Sequence, residues 1–316
     1  MNKSNVISLF QKSTALPGLL LRIADNPIII KELRGRMRSR RAFTVLIIYL
    51  LSISAVITIL YYIIETQMSS NYNGPEFRQI AGKIIFGGVL GFELLMIGFI
   101  APALTAGAIT NERERQTLDL LRTTLISART LVLGKLASAC SYMLLLIFTA
   151  LPIQALAFLL GGIGEEEIFV SILILLVNTT FFSALGILCS SFSKRTMTAT
   201  ITCYAIILVS VLISGIIVYA LASYIITTSL SYGGGGSSDY MLANITLWLF
   251  CSTNSILAGV VSEAFLISNH TLYYGIVPFG TNIYLYSPWV LHVGLFAVLS
   301  ALLILISILR VHRVDR

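Results

Sequence analysis

The sequence predicts an all-α polytopic membrane protein with six transmembrane helices. Two observations predict it. The first is composition: 57% of the 316 residues are hydrophobic and only 11% are charged, with a mean hydropathy of +0.90. Soluble domains carry about 25% charged residues. The second is where that deficit falls, in apolar runs long enough to cross a bilayer, for which about 20 residues suffice. A soluble core hides a few such helices, not most of a chain.

Six runs qualify, at 42–64, 84–109, 131–160, 168–188, 200–226 and 289–309. At 1.5 Å per residue the longer ones must tilt or protrude. Orientation follows from Lys and Arg, which concentrate in cytoplasmic loops. Nine of the 21 precede the first run, four lie between the second and third with a fifth, Lys135, at the start of the third, two between the fourth and fifth, and three after the last. Only Arg78 and Lys83 are left for the other side. Both termini are therefore expected in the cytoplasm, and the net charge of +7 is a topology signal, not a nucleic-acid footprint. The outer side is acidic, with Glu65, Glu76, Glu165, Glu166, Glu167, Asp239 and Glu263. The three consecutive glutamates read as a solvated turn that cannot enter lipid.

The expected organisation is a cytoplasmic N-terminus over 1–41, a six-span domain over 42–309 and a tail over 310–316. Residues 1–25 are mixed and polar, without the pattern of a secretory signal. The long outer segment, about 227–287, is not uniform. "SYGGGGSSDY" has linker composition. The following "ANITLWLFCSTNSILAGVVSEAFLISN" is too apolar for a free loop and too interrupted for a span. Two short re-entrant helices packed on the bundle would satisfy its backbone. Two further spans are the competing count. "YYGIVPFGTNIYLYSPW" then supplies interfacial aromatics ahead of the last span.

One inner segment stands out. "TNERERQTLDLLRTTL", residues 110–125, crowds charges between spans two and three. Asn111 followed by Glu114 reads as an N-cap with its capping-box partner. Glu112 and Glu114 suit a first helical turn. Leu118, Leu121 and Leu125 fall on one stripe, and Asp119 is spaced to pair with Arg115 and Arg122. A short amphipathic helix over about 111–125 is expected. A solvated connector needs no leucine stripe, whereas a docking helix needs leucines to fill a groove and charges to fix register.

A second amphipathic element, "NPIIIKELRGRMRSRRAF", precedes span one. Ile29, Ile30 and Leu33 give it an apolar side. Lys31, Arg34, Arg36, Arg38, Arg40 and Arg41 give it positive charge suited to anionic headgroups.

In this order, the basic amphipathic element, a span and then "ERERQTLDLLRTTLISARTLVLGKL" resemble the permease subunit of ABC-2-type transporters. Glu112, Glu114, Thr117, Leu118 and Leu121 match the family's acidic/basic helix after span two, and Gly134 and Lys135 match the start of span three. The resemblance covers nearly the whole chain. It implies an N-terminal elbow helix and a coupling helix, built from Asn111, Glu112, Arg113, Glu114, Arg115, Thr117, Leu118, Asp119, Leu121 and Arg122. That helix would dock on cytosolic ATPase subunits, two per complex. A second permease half, identical or not, would complete a central path. ATP and Mg would sit on the ATPase, and no cofactor is expected in this chain. The phosphate-binding pattern G-x-x-x-x-G-K-[ST] does not occur, since "GKI" at Gly82 and "GKL" at Gly134 lack both the upstream glycine and the hydroxyl residue. The expected location is the inner (plasma) membrane of a prokaryotic cell.

Glu93 is the one carboxylate centred in a span, a costly placement that makes it a candidate for the translocation path. A neutral or snorkelled glutamate is its bland alternative. Pro102 and Pro152 should kink their helices. Asn178, Thr179 and Thr180 read as interhelical hydrogen-bond partners, and the four cysteines as packing residues. His270, His292 and His312 suggest no metal site. An ion-gradient-driven carrier or channel is the alternative function, but it wants more intramembrane ionisable groups and internal repeats. A membrane-embedded enzyme would need a nucleophile–base set or metal cluster.

Overall fold

The computed structural model describes residues 40–68, 75–117, 127–160, 163–232, 238–269, 273–276 and 284–314. Among them are nine helices: α1 (Arg40–Met68), α2 (Pro75–Thr105), α3 (Thr110–Glu114), α4 (Ala128–Leu160), α5 (Glu165–Phe192), α6 (Thr196–Tyr232), α7 (Ser238–Thr253), α8 (Ser255–Asn269) and α9 (Pro288–Val314). Six helical stretches are long and apolar enough to cross a membrane, each overlapping one predicted span. The chain is an all-α multi-pass membrane protein.

The helices overrun the apolar runs because backbone pairing does not stop where hydropathy does. α2 starts at Pro75, nine residues before the apolar run, with proline in a first-turn position where its missing N–H costs nothing. α9 likewise starts at Pro288. α5 begins after extended Gly164 with Glu165, Glu166 and Glu167 in its first turn, favoured there by the helix dipole. Arg40, assigned from sequence to the elbow, instead opens α1, and its carbonyl accepts from Thr44. Arg41 follows it in the same helix. The rest of the elbow, with Lys31, Arg34, Arg36 and Arg38, lies outside the described residues.

α5 is the centre of the bundle, with α2, α4 and α9 packed round it. Half of its most apolar window is buried, against none of α6's and 11% of α1's. Ile53, Ile85, Ile97, Met143, Leu146, Ile174 and Leu175 are the largest fully buried apolar side chains of the main cluster. The outward side chains of α1 and α6, such as Leu51, Tyr62, Ile201 and Ile216, would cost exposure in water but not in lipid. Close approach of α2 and α5 is set by Gly186, where a Cβ would overlap the Thr105 hydroxyl and meet Ala106 N at 3.2 Å.

The segment before the last span holds two short helices, as expected, plus a two-stranded piece that the sequence reading missed. α7 and α8, of 16 and 15 residues, meet at Asn254. At about 24 Å each, neither spans the roughly 30 Å hydrocarbon core alone. Asn254 Oδ1 accepts from Ile256 N and Leu257 N, so it caps α8. Its amide donates at 3.2 Å to Ser214 Oγ, near the middle of α6. β1 (Tyr274–Ile276) and β2 (Tyr284–Tyr286) pair antiparallel, with Gly275 opposite Leu285. Trp248 Nε1 donates to the Tyr286 carbonyl at 2.8 Å, fixing this hairpin to α7.

Candidate functional site: the charged end of span two

The charged segment continues span two and does not start a separate helix at Asn111. Pro102 lacks an N–H, and the chain loosens over residues 106–109. Asn111 N then donates to the Gly107 carbonyl and Arg113 N to the Ile109 carbonyl, carrying the helix on as α3. The expected Asn111 cap is therefore a correction. The N-cap position falls on Ile109, with no side-chain cap on its own segment. Ser190 of α5 supplies the missing acceptor, taking bonds from Ile109 N at 2.9 Å and Thr110 N at 3.0 Å.

The C-terminal end of α3 is also built, not frayed. Gln116 sits in the left-handed region at φ 57°. Gln116 N donates to the Arg113 carbonyl and Thr117 N to the Glu112 carbonyl, the paired bonds of a Schellman motif. α3 therefore ends at Glu114, and the remainder of the helix expected to about 125 lies outside the described residues from 118 on. Glycine is the usual residue at the position that Gln116 holds. Gln116→Gly should accordingly raise stability by up to about 1 kcal/mol, read as a higher thermal midpoint of the detergent-purified protein.

The charged side chains of α3 turn to their own chain. Glu112 Oε1 meets Lys135 Nζ of α4 at 3.4 Å, and its other oxygen accepts from the Thr117 hydroxyl. Lys135 is 6% exposed at its side chain and Glu112 29%, so this pair is more sheltered than a surface ion pair. Arg113 donates to the Ser193 carbonyl at 2.7 Å. Glu114 accepts from Thr196 N at 2.7 Å and from Thr196 Oγ1 at 2.9 Å. It caps the N-terminus of α6 in place of its own helix. Asn111, Arg115 and Gln116 face outward with Lys194 and Arg195 of the neighbouring loop. The site is thus a clamp joining adjacent ends of spans two, three, four and five, with Arg115, Lys194 and Arg195 outnumbering Glu114 among its exposed charges.

The family description "ABC-2 family transporter protein" matches residues 26–309. The chain belongs to that family. No curated protein matches it individually. The permease is thus the membrane subunit of an ABC-type transporter, and membership implies ATPase partners and a membrane setting.

Of the permease's sequence-predicted coupling residues, Asn111, Glu112, Arg113, Glu114, Arg115 and Thr117 come together at this clamp. Leu118, Asp119, Leu121 and Arg122 lie outside the described residues. Sequence reasoning missed Ser190, Ser193 and Thr196, each about 80 positions from its partner and unmarked by any motif.

Two further polar clusters sit inside the bundle. Glu93 of α2 is fully buried, and Gln154 Nε2 of α4 donates to its Oε2 at 2.7 Å. Asn178 of α5 donates to His292 Nε2 of α9 at 3.0 Å, and His292 Nδ1 donates to the Ser252 carbonyl of α7 at 2.8 Å. Ser255 of α8 donates to Asn178 Oδ1 at 2.5 Å. Asn178 is an interhelical hydrogen-bond partner, as read from sequence, whereas Thr180 donates to the Val177 carbonyl of its own helix at 2.8 Å. Among the described residues, no three His, Cys, Asp or Glu side chains converge as a metal site would need.

Proposed function

We propose that the permease is one half of an ATP-powered exporter of the plasma membrane, with both termini cytoplasmic, of prokaryotic type. It pairs with a second permease half, identical or homologous, and two cytosolic ATPase subunits carry ATP and Mg. The family match over 26–309 carries this reading. The outward basic surface around Arg115 and the leucine stripe of Leu118 and Leu121 form the docking handle. The basic segment ahead of α1, with Lys31, Arg34, Arg36 and Arg38, serves as the elbow at the lipid headgroups. α7 and α8 dip into the outer leaflet, an arrangement supported by the Asn254–Ser214 bond near the middle of α6. A nearly charge-free bundle interior favours amphipathic or lipid-like cargo moved outward.

The mechanism follows from the clamp. ATP closing the ATPase pair draws the two docked segments together. Glu114 and Arg113 transmit that displacement to Thr196 and Ser193, hence to the start of α6, and the halves rock between inward- and outward-open states. ATP does this by binding one conformation of the complex more tightly.

The test is co-purification of the permease with its ATPase. Arg115→Glu with Leu121→Glu should abolish the complex while leaving the permease folded. Retained complex formation would remove the docking assignment, and solute movement by the permease alone would favour the ion-gradient carrier. Thr196→Ala, by contrast, should keep the ATPase bound but lower cargo moved per ATP hydrolysed several-fold, measured in proteoliposomes. An unchanged ratio would show that the bond from the Thr196 hydroxyl to Glu114 transmits nothing.

A further inference from the structure

Glu93 and Gln154 hold something that the transport reading does not require. Glu93 is 0% exposed and Gln154 5%. On α2, Glu93 shares its face with Val89, Leu90 and Ile97, all within the main apolar cluster. On α4, Gln154 shares its face with buried Ala150. One hydrogen bond joins the two groups, from Gln154 Nε2 to Glu93 Oε2. Both remaining oxygens, Glu93 Oε1 and Gln154 Oε1, are buried with no hydrogen-bond partner.

These orphans are both acceptors, so neither can satisfy the other unless a hydrogen is added. No cation lies within ion-pair distance of Glu93 among the described residues. The helices packed on α2 keep their charges toward their ends, Arg40, Arg41 and Glu65 on α1 and Arg129 and Lys135 on α4. α1 brings the Tyr49 hydroxyl, the titratable neighbour close enough to feel Glu93. α4 brings the neutral amide. α5 carries Glu165, Glu166 and Glu167 only in its first turn, α6 carries no charged residue, and α8 carries Glu263. A metal cation needs about six oxygens, and Glu93 and Gln154 offer only two unpaired ones. A hydrogen needs no more than those.

We propose that Glu93 is a proton-binding site, carrying one hydrogen on Oε1 that it donates to Gln154 Oε1. The pair is then a neutral acid–amide ring with two hydrogen bonds and no orphan, tying α2 to α4 across the apolar core. An ionised carboxylate there would be an unpaired buried charge, which bilayer interiors penalise by several kcal/mol. Losing the proton breaks the ring and favours separation of α2 from α4. The site is therefore one where binding or release of a proton biases helix packing.

The test is infrared spectroscopy of the full permease in lipid nanodiscs at neutral pH, with Glu93→Gln as the comparison. The expected difference spectrum shows a protonated-carboxyl carbonyl band, sensitive to deuterium exchange, that the substitution removes. Gln154→Leu should keep the band but shift it to the higher frequency of a weakly bonded acid. Loss of a carboxylate band in place of the acid band would overturn the proposal. So would a band in Gln154→Leu at the native frequency, which also keeps the idea testable if Glu93→Gln misfolds. Sodium-dependent movement of the band would overturn it in favour of a metal cation. None of these readouts needs the ATPase, so their failure is distinguishable from failure of the docking assignment.

Discussion

Gly186→Leu is expected to abolish the folded bundle, and Gly186→Ala to destabilise it by about 1–3 kcal/mol, the usual cost of overpacking a well-filled core. A Cβ at this position of α5 overlaps the Thr105 hydroxyl and comes within 3.0 Å of Thr105 Cβ and 3.2 Å of Ala106 N. The neighbour cannot swing aside cheaply. Thr105 is fully buried and its hydroxyl already donates to the Ala101 carbonyl at 2.8 Å. Ala106 is backbone in the loosened turn that leads to α3. Any shift also pulls Ser190, four residues further along α5, away from Ile109 N and Thr110 N. The measurement is the midpoint of thermal loss of the monodisperse species in detergent. Gly186→Ala combined with Thr105→Ala should recover part of the loss, because the overlapping hydroxyl is gone. A single Gly186→Ala with an unchanged midpoint would mean that α2 and α5 are not packed this closely.

That contact also marks where sequence reading stops. The spans were legible because lipid imposes a one-dimensional rule: about 20 apolar residues, with positive charge kept inside. The helix ends were less legible because the flanking polar turns, from Pro75 to Lys83 for example, remain hydrogen-bonded helix without being apolar. The capping of residue 111 was misread for a related reason. A capping box is a local pattern, and Asn111 with Glu114 fits it. The helix, however, arrives from span two, with Asn111 N already bonded to the Gly107 carbonyl. The acidic side chain expected to serve its own helix therefore serves α6. Glu93 was legible as costly, but its partner was not. Gln154 lies 61 positions away, and nothing in its neighbourhood distinguishes it from a glutamine facing a headgroup.

The two acidic side chains of α3 change what its charge means. Read as a string, Glu112, Arg113, Glu114 and Arg115 alternate in sign and suggest a surface ready for either charge. In the fold, Glu112, Arg113 and Glu114 meet Lys135, Ser193 and Thr196. Arg115, Lys194 and Arg195 face outward. Glu114 is exposed beside them, so the outward charges are three basic and one acidic.

The second large effect is expected at the junction of α7, α8, α5 and α9. Asn178 uses every polar atom it has. Its two amide hydrogens go to the Ile174 carbonyl at 2.8 Å and to His292 Nε2, and its oxygen accepts from Ser255. With Nε2 accepting, His292 keeps its proton on Nδ1 and donates it to Ser252. Asn178→Leu leaves the imidazole nitrogen and the Ser255 hydroxyl without partners in a site where His292 is fully buried. Interhelical hydrogen bonds inside membranes contribute about 0.6–2 kcal/mol each. Leaving a buried group unsatisfied costs about 1–3 kcal/mol. The expected loss is about 2–4 kcal/mol, concentrated on the attachment of α7 and α8 and not on the spans. Cys251, beside Ser252 on α7, is a free and buried thiol and reports that attachment. Its maleimide labelling in membranes should accelerate in Asn178→Leu and equally in His292→Leu. The double substitution should be less than additive in thermal midpoint, because each change already removes the bond they share. Additive losses with Cys251 still protected would mean that the two side chains act separately and do not hold the outer helices to the bundle.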